Sequence, residues 1–196
     1  MKSLITVLGE IVDPFYITTT VDKNNRLKLE ESNDGINYHI YIDISKGIDR
    51  YLLINLDKKE QDIHPFLKAH EAKVTNLRKC CDYLLFCEVA DQVYVFPIEL
   101  KSKDATGWKR QVRAGIAFAQ YLIAFAEVKD YCNYDLHSSI KYRCILFKQG
   151  NSIKRKTGVD PYSIEDIYKY KFVQKSFKKA PKPFKIAEFF DPRNAN

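Results

Sequence analysis

The chain has 196 residues, 45% of them hydrophobic, and a net charge of +7. That is enough apolar material to bury a real core in one domain, or one domain with a modest extension. No apolar run approaches the ~20 residues of a bilayer span. The short run Leu4–Leu8, broken at once by Gly9 and Glu10, falls below the roughly 7–15 apolar residues of a secretory signal. The five cysteines (Cys80, Cys81, Cys87, Cys132 and Cys144) are odd in number and contain no CxxC pair. This argues against zinc sites and disulfide frameworks and fits reduced packing thiols in a cytoplasmic protein. The four histidines show no metal-ligand spacing.

Charge is unevenly spread. Residues 141–196 carry 14 Lys or Arg against 5 Asp or Glu, a net of +9, so the first 140 residues carry −2. Such asymmetry suggests a side that faces a polyanion, or a solvated tail that keeps the protein soluble. Residues 1–150 are expected to form the domain, with 151–196 a basic extension packing on it.

In chain order, residues 37–43 and 50–56 read as strands, and Ser45–Asp49 between them is a turn signal, which predicts a hairpin. A helix is expected from about Pro65. Two β-rich runs follow, Asp82–Val89 and Gln92–Leu100. Residues 105–128 form the strongest helix signal: Val112, Ile116, Ala119, Ile123 and Ala126 make one apolar stripe, which Phe118, Leu122 and Phe125 widen. Lys141–Lys148 reads as another strand, and Gly150–Gly158 as a basic loop. Strand, long helix, strand makes a parallel crossover. With hairpins before it, the expected fold is α/β in the α+β sense, a mixed sheet with helices on its faces.

Three Glu-x-Lys triplets occur, Glu71/Lys73, Glu99/Lys101 and Glu127/Lys129, so the triplet alone says little. Only the second closes an aromatic, β-branched strand. A two-residue turn at Ala90-Asp91 pairs Val89 with Gln92, and the same register sets Asp82 opposite Glu99. Opposed residues share a face with Cβ atoms ~4.5–5.5 Å apart. Lys101, two residues on, shares it too. Two carboxylates so close repel unless a cation lies between them, and oxygen ligands in a partly open shell suit Mg²⁺ or Mn²⁺. The competing reading is a surface Glu99–Lys101 salt bridge with Asp82 as a strand cap.

Asp82, a hairpin, Ile98-Glu99-Leu100-Lys101 and then a long helix resemble the PD-(D/E)XK, or restriction-endonuclease-like, nuclease superfamily over about residues 65–148. The resemblance implies a restriction-endonuclease-like mixed sheet flanked by helices and Mg²⁺-dependent hydrolysis of phosphodiester bonds. It gives Asp82 and Glu99 to the metal, with the Leu100 backbone carbonyl as a further ligand, and Lys101 to the nucleophilic water. Glu71 is its tentative upstream acidic ligand. Three departures stand out. Cys81 replaces the proline before the aspartate. Pro97 lies inside the motif strand, where it removes a ladder donor and suggests a bulge or an unpaired position. Of the Gln-x-x-x-Tyr pattern of RecB-like members, only Gln111 is present, since Gly115 holds the tyrosine position.

A nucleic-acid partner, DNA before RNA, would meet Lys103, Lys109, Arg110 and Arg113 beside the motif and Lys154, Arg155 and Lys156 in the basic loop. Trp108 reads first as a core residue and second as a platform for an unpaired base. Defence, repair or mobile-element biology would be a natural setting for such an activity. The alternative is a catalytically inactive nucleic-acid-binding or adaptor module on the same fold. A homodimer is compatible with either, because a duplex has two strands to cut.

Overall fold

The computed structural model describes residues 2–19, 21–33, 36–57, 79–102, 107–128, 140–150, 163–164, 171–177 and 182–190. Helix α1 (Leu4–Ile11) leads into strands β1 (Arg26–Asn33), β2 (Ile36–Asp43), β3 (Arg50–Asn55), β4 (Tyr83–Val89) and β5 (Gln92–Lys101). Helix α2 (Trp108–Val128) is followed by β6 (Ile140–Gln149), β7 (Ser163–Ile164), β8 (Lys171–Phe177) and β9 (Phe184–Lys185), which runs into a short 3-10 helix, Ile186–Phe189. The expected helix from Pro65 lies outside the described residues.

The mixed sheet expected from the sequence is present. Its six strands lie in the order β3-β4-β5-β6-β8-β7. The neighbours β3–β4, β4–β5 and β7–β8 are antiparallel, whereas β5–β6 and β6–β8 are parallel. The parallel β5–β6 pair, with α2 between its strands in the chain, is the predicted crossover. A second sheet of three strands, β1-β2-β9, lies apart from the first in its hydrogen bonding.

Residue alternation sorts the core into two layers. On one face of the main sheet, Leu84, Phe86, Val93 and Val95 pack with Leu4 and Leu8 of α1 and with Val112, Ile116, Ala119 and Ile123 of α2. On the other face, Leu85, Phe96, Ile98, Ile145 and Phe147 pack against Leu27, Leu29, Ile40 and Ile42 of the small sheet and against Phe189. Among the described residues, then, the α-helices cover only one face. The other is covered by the small sheet and the short 3-10 helix.

Several local expectations change. Residues 37–43 and 50–56 do become strands, but β2 pairs with β1 over eight residue pairs, and β3 pairs with β4. Ile40 and Ile42 therefore stack over the main sheet instead of joining it, and residues 44–49 form a corner between layers. The apolar run near the N-terminus is an amphipathic helix, capped by the Ser3 hydroxyl, which accepts the Thr6 N–H at 3.2 Å. The α2 stripe is buried as predicted, but Phe125 is 48% exposed and Tyr121 49%, so the stripe is narrower than its aromatics suggested. Pro97 makes no bulge. It sits in register with Leu84, and the β5–β6 pairing skips Phe96 and Pro97 without changing offset. The missing N–H is thus absorbed as a two-residue gap in the ladder. The C-terminal part supplies β8, an interior strand of the main sheet, and β9 of the small one. No described helix is long and apolar enough to cross a membrane.

Candidate active site

The β4–β5 hairpin has the register derived from its turn: Val89 faces Gln92 and Tyr83 faces Ile98. Asp82 stands one residue before β4, where the same register carries it to Glu99. Alternation places Asp82 with Leu84 and Phe86, and Glu99 with Val93 and Val95, on the face that carries the helices. The Asp82 carboxylate does more than share that face. Its Oδ2 accepts the Leu100 N–H at 2.5 Å, and its own carbonyl accepts the Leu56 N–H at 2.8 Å. Asp82 is therefore pinned between two strands. The strand cap of the competing reading exists, but it lies inside the protein.

Glu99 is fully buried and ion-paired with Lys101, whose side chain is 18% exposed. Apart from that ammonium, neither Glu99 carboxylate oxygen meets a hydrogen-bond donor among the described residues. The pair is thus no surface salt bridge. Burial pushes the Glu99 carboxyl up to about 7, against the pull of Lys101. Burial, followed by the charge of Glu99, likewise holds Asp82 well above the ordinary carboxylate range, although the Leu100 N–H works the other way. Burial opposes the Lys101 ammonium, but Glu99, Asp82 and Glu31 together outweigh it, and the lysine is raised. At neutral pH it is a charged donor.

Glu31 was not anticipated from the sequence. It lies on β1 opposite Tyr38 of β2. Its negative charge raises Asp82 and Glu99, and it supports the Lys101 ammonium. Tyr38 is 8% exposed, and burial together with Glu31, Asp82 and Glu99 raises its phenol, which stays protonated. The small sheet thus brings a third carboxylate and a hydroxyl within electrostatic reach of the hairpin. A signal was present in the Asp34-Gly35 pair, a hairpin turn sequence between the paired Asn33 and Ile36.

Gln111 is buried, and its Nε2 donates to the Cys80 carbonyl at 3.3 Å. One turn on, a Cβ at Gly115 would fall 2.3 Å from the Cys81 Sγ. Helix α2 approaches the segment before Asp82 so closely there that no tyrosine could occupy the position. The four described cysteines, Cys80, Cys81, Cys87 and Cys144, are buried and unbridged.

Lys109, Arg110 and Arg113 lie exposed on the first turns of α2. Trp108 packs partly against the core, with the Lys109 ammonium 5.9 Å from its ring centre. Glu71, Lys103, Lys154, Arg155 and Lys156 lie outside the described residues.

Among the described residues, no group of three or more His, Cys, Asp or Glu side chains is placed to hold a metal ion. Two buried carboxylates, one of them with both oxygens short of hydrogen-bond donors, do suit a divalent cation that keeps several waters, as Mg²⁺ does. In a strand, one residue's N–H and C=O leave on the same side, so the Leu100 carbonyl turns towards Asp82 together with its amide. The donor set is hard and oxygen-only. Comparison of the chain with protein-family models, with curated proteins and with solved structures gives no match.

Proposed function

We propose that the chain is a divalent-metal-dependent nuclease that hydrolyses phosphodiester bonds of nucleic acid, DNA in the first instance. The observation that carries this reading is the fully buried Glu99 carboxylate, which meets no donor among the described residues except the Lys101 ammonium, beside Asp82. Burying such a carboxylate is costly unless something binds it. Asp82, Glu99 and the Leu100 carbonyl would hold the ion. When bound, Mg²⁺ or Mn²⁺ lowers the pKa of a water and neutralises charge on the phosphoryl oxygens.

The chain's own groups have distinct parts in this reading. The Leu100 N–H fixes the Asp82 rotamer, so one carboxylate oxygen is oriented before any ligand arrives. Lys101, kept charged by Glu99, is suited to orienting the attacking water and stabilising developing negative charge, and poorly suited to accepting a proton. Protonated Tyr38 is a further donor near the carboxylates. The short-motif resemblance to PD-(D/E)XK nucleases supports the same assignment.

The test is incubation of purified protein with single- and double-stranded DNA and RNA, with Mg²⁺ or Mn²⁺, beside Asp82→Ala and Lys101→Ala. Metal-dependent cleavage lost in both variants is the expected result. Metal-insensitive binding without cleavage, unchanged in both variants, would replace this reading with that of a non-catalytic binding module.

A further inference from the structure

Resting on the nuclease reading, we propose that the strand to be cut leaves the Asp82–Glu99 centre across β6 and β8, with Lys148, Ser176 and Gln174 holding its phosphodiester backbone. The register supplies the geometry. Lys101 pairs with Lys148 and Lys148 with Ser176, while Glu99 pairs with Leu146 and Leu146 with Gln174. These are parallel ladders in which paired residues share a face.

The face can be identified from the residues between them. Leu100, Phe147, Val173 and Phe177 all belong to the layer shared with the small sheet. Lys101, Lys148, Gln174 and Ser176 alternate with these, so they point to the opposite side, the one that carries Glu99. Lys175 agrees with this assignment. It turns the other way, to Glu188 at 3.2 Å and over the Phe189 ring.

Lys148, Gln174 and Ser176 are all partly exposed, and the Gln174 Nε2 donates to the Ser176 Oγ at 3.2 Å. That bond uses the serine oxygen as acceptor and leaves its hydroxyl hydrogen to donate outward. One ammonium, one hydroxyl and one amide are the side chains that hold phosphate oxygens without reading sequence. Strands lie ~4.8 Å apart, so Lys148 stands one spacing from Lys101 and Ser176 about two, ~10 Å. The polar row therefore continues from the catalytic lysine without a break. Complementary charge names its occupant as a polyanionic strand.

The experiment measures fluorescence anisotropy with a 5′-labelled 16-nucleotide single strand and its duplex, in Mg²⁺. The cleavage-deficient Asp82→Asn variant serves as background, and wild type in EDTA as a check. Lys148→Glu is expected to weaken binding at least tenfold and Lys148→Gln about threefold, and each should reduce the salt slope by about one. Lys46→Glu, an exposed charge change at the opposite end of the sheet, is the control and should change binding less than twofold. With wild-type Asp82, Lys148→Gln should raise KM while kcat stays within threefold. Thermal midpoints confirm that each variant is folded. If Lys148→Glu binds no worse than Lys46→Glu while wild type still cleaves, this path is wrong and the nuclease reading stands. If wild type neither binds nor cleaves any strand, both fail.

Discussion

The β4–β5 hairpin carries a buried carboxylate at each end, and the two are handled differently. At the tip, Glu88 lies 3.7 Å from the guanidinium of Arg50, itself 56% exposed, and Asp49 accepts the Ala90 N–H at 2.8 Å. Each acid there meets one partner, although the Glu88 Oε1 is buried and meets no hydrogen-bond donor among the described residues. At the other end, Glu99 is fully buried, is ion-paired with Lys101, and lies within electrostatic reach of Asp82, Glu31 and Tyr38. What separates the ends is company: one acid and one cation at the tip, several ionisable groups gathered in the interior at the candidate site.

The widest gap between the ends should appear in catalysis. Asp82→Ala or Glu99→Ala should lower metal-dependent cleavage by roughly a thousandfold or more, ~4 kcal/mol of barrier, whereas Glu88→Ala should leave kcat/KM within about threefold. An equal loss from Glu88→Ala would dissolve the distinction. Gly115→Ala comes next, because its Cβ collides with the Cys81 Sγ beside Asp82. It should cost about 1–3 kcal/mol of stability despite the gain in helix propensity, and adding Cys81→Ala should restore much of it. Urea melts of the two single variants and the double variant measure that coupling.

The third effect depends on pH. Glu99 has a folded-state pKa raised to about 7 from 4.5, so its contribution is fully present below about 4.5 and is lost as pH rises towards 7. Glu99→Gln should therefore stabilise the metal-free protein at pH 8 relative to pH 5, by on the order of 1–3 kcal/mol. Millimolar Mg²⁺ should raise the wild-type thermal midpoint at pH 8 and leave that of Glu99→Gln nearly unmoved. A midpoint indifferent to Mg²⁺ in both proteins would count against the metal. The smallest change belongs to the tip: Arg50→Ala should cost about 1 kcal/mol or less and leave activity alone.

Much of the hairpin end was legible because short-range rules govern it. A two-residue turn fixes register, and register with alternation fixes which side chains share a face, so Asp82, Glu99 and Lys101 could be placed from the sequence. The α2 stripe and the parallel crossover followed from periodicity in the same way. Layering was not legible. Nothing local to residues 37–56 says that β2 pairs backwards with β1 and stacks on the sheet that β3 joins. The polar look of Arg26–Asn33 hid a strand whose Leu27 and Leu29 are fully buried. Glu31 was missed for that reason. The value of Glu31 lies in a contact between sheets, and such contacts are set by packing over long sequence separations.

The position of β8 has a consequence for how the protein is made. This strand, from residues 171–177, completes the parallel core beside β6, and β9 closes the small sheet beside β2. A nascent chain released from the ribosome exit as far as β6 would thus display a long, open, apolar strand edge. It would stay in that state for the seconds that the remaining residues take to be synthesised. The layer shared with the small sheet cannot close until Ile186 and Phe189, just after β9, have emerged. Chains stopped early, between residues 150 and 170, should accumulate as aggregates instead of shorter working domains.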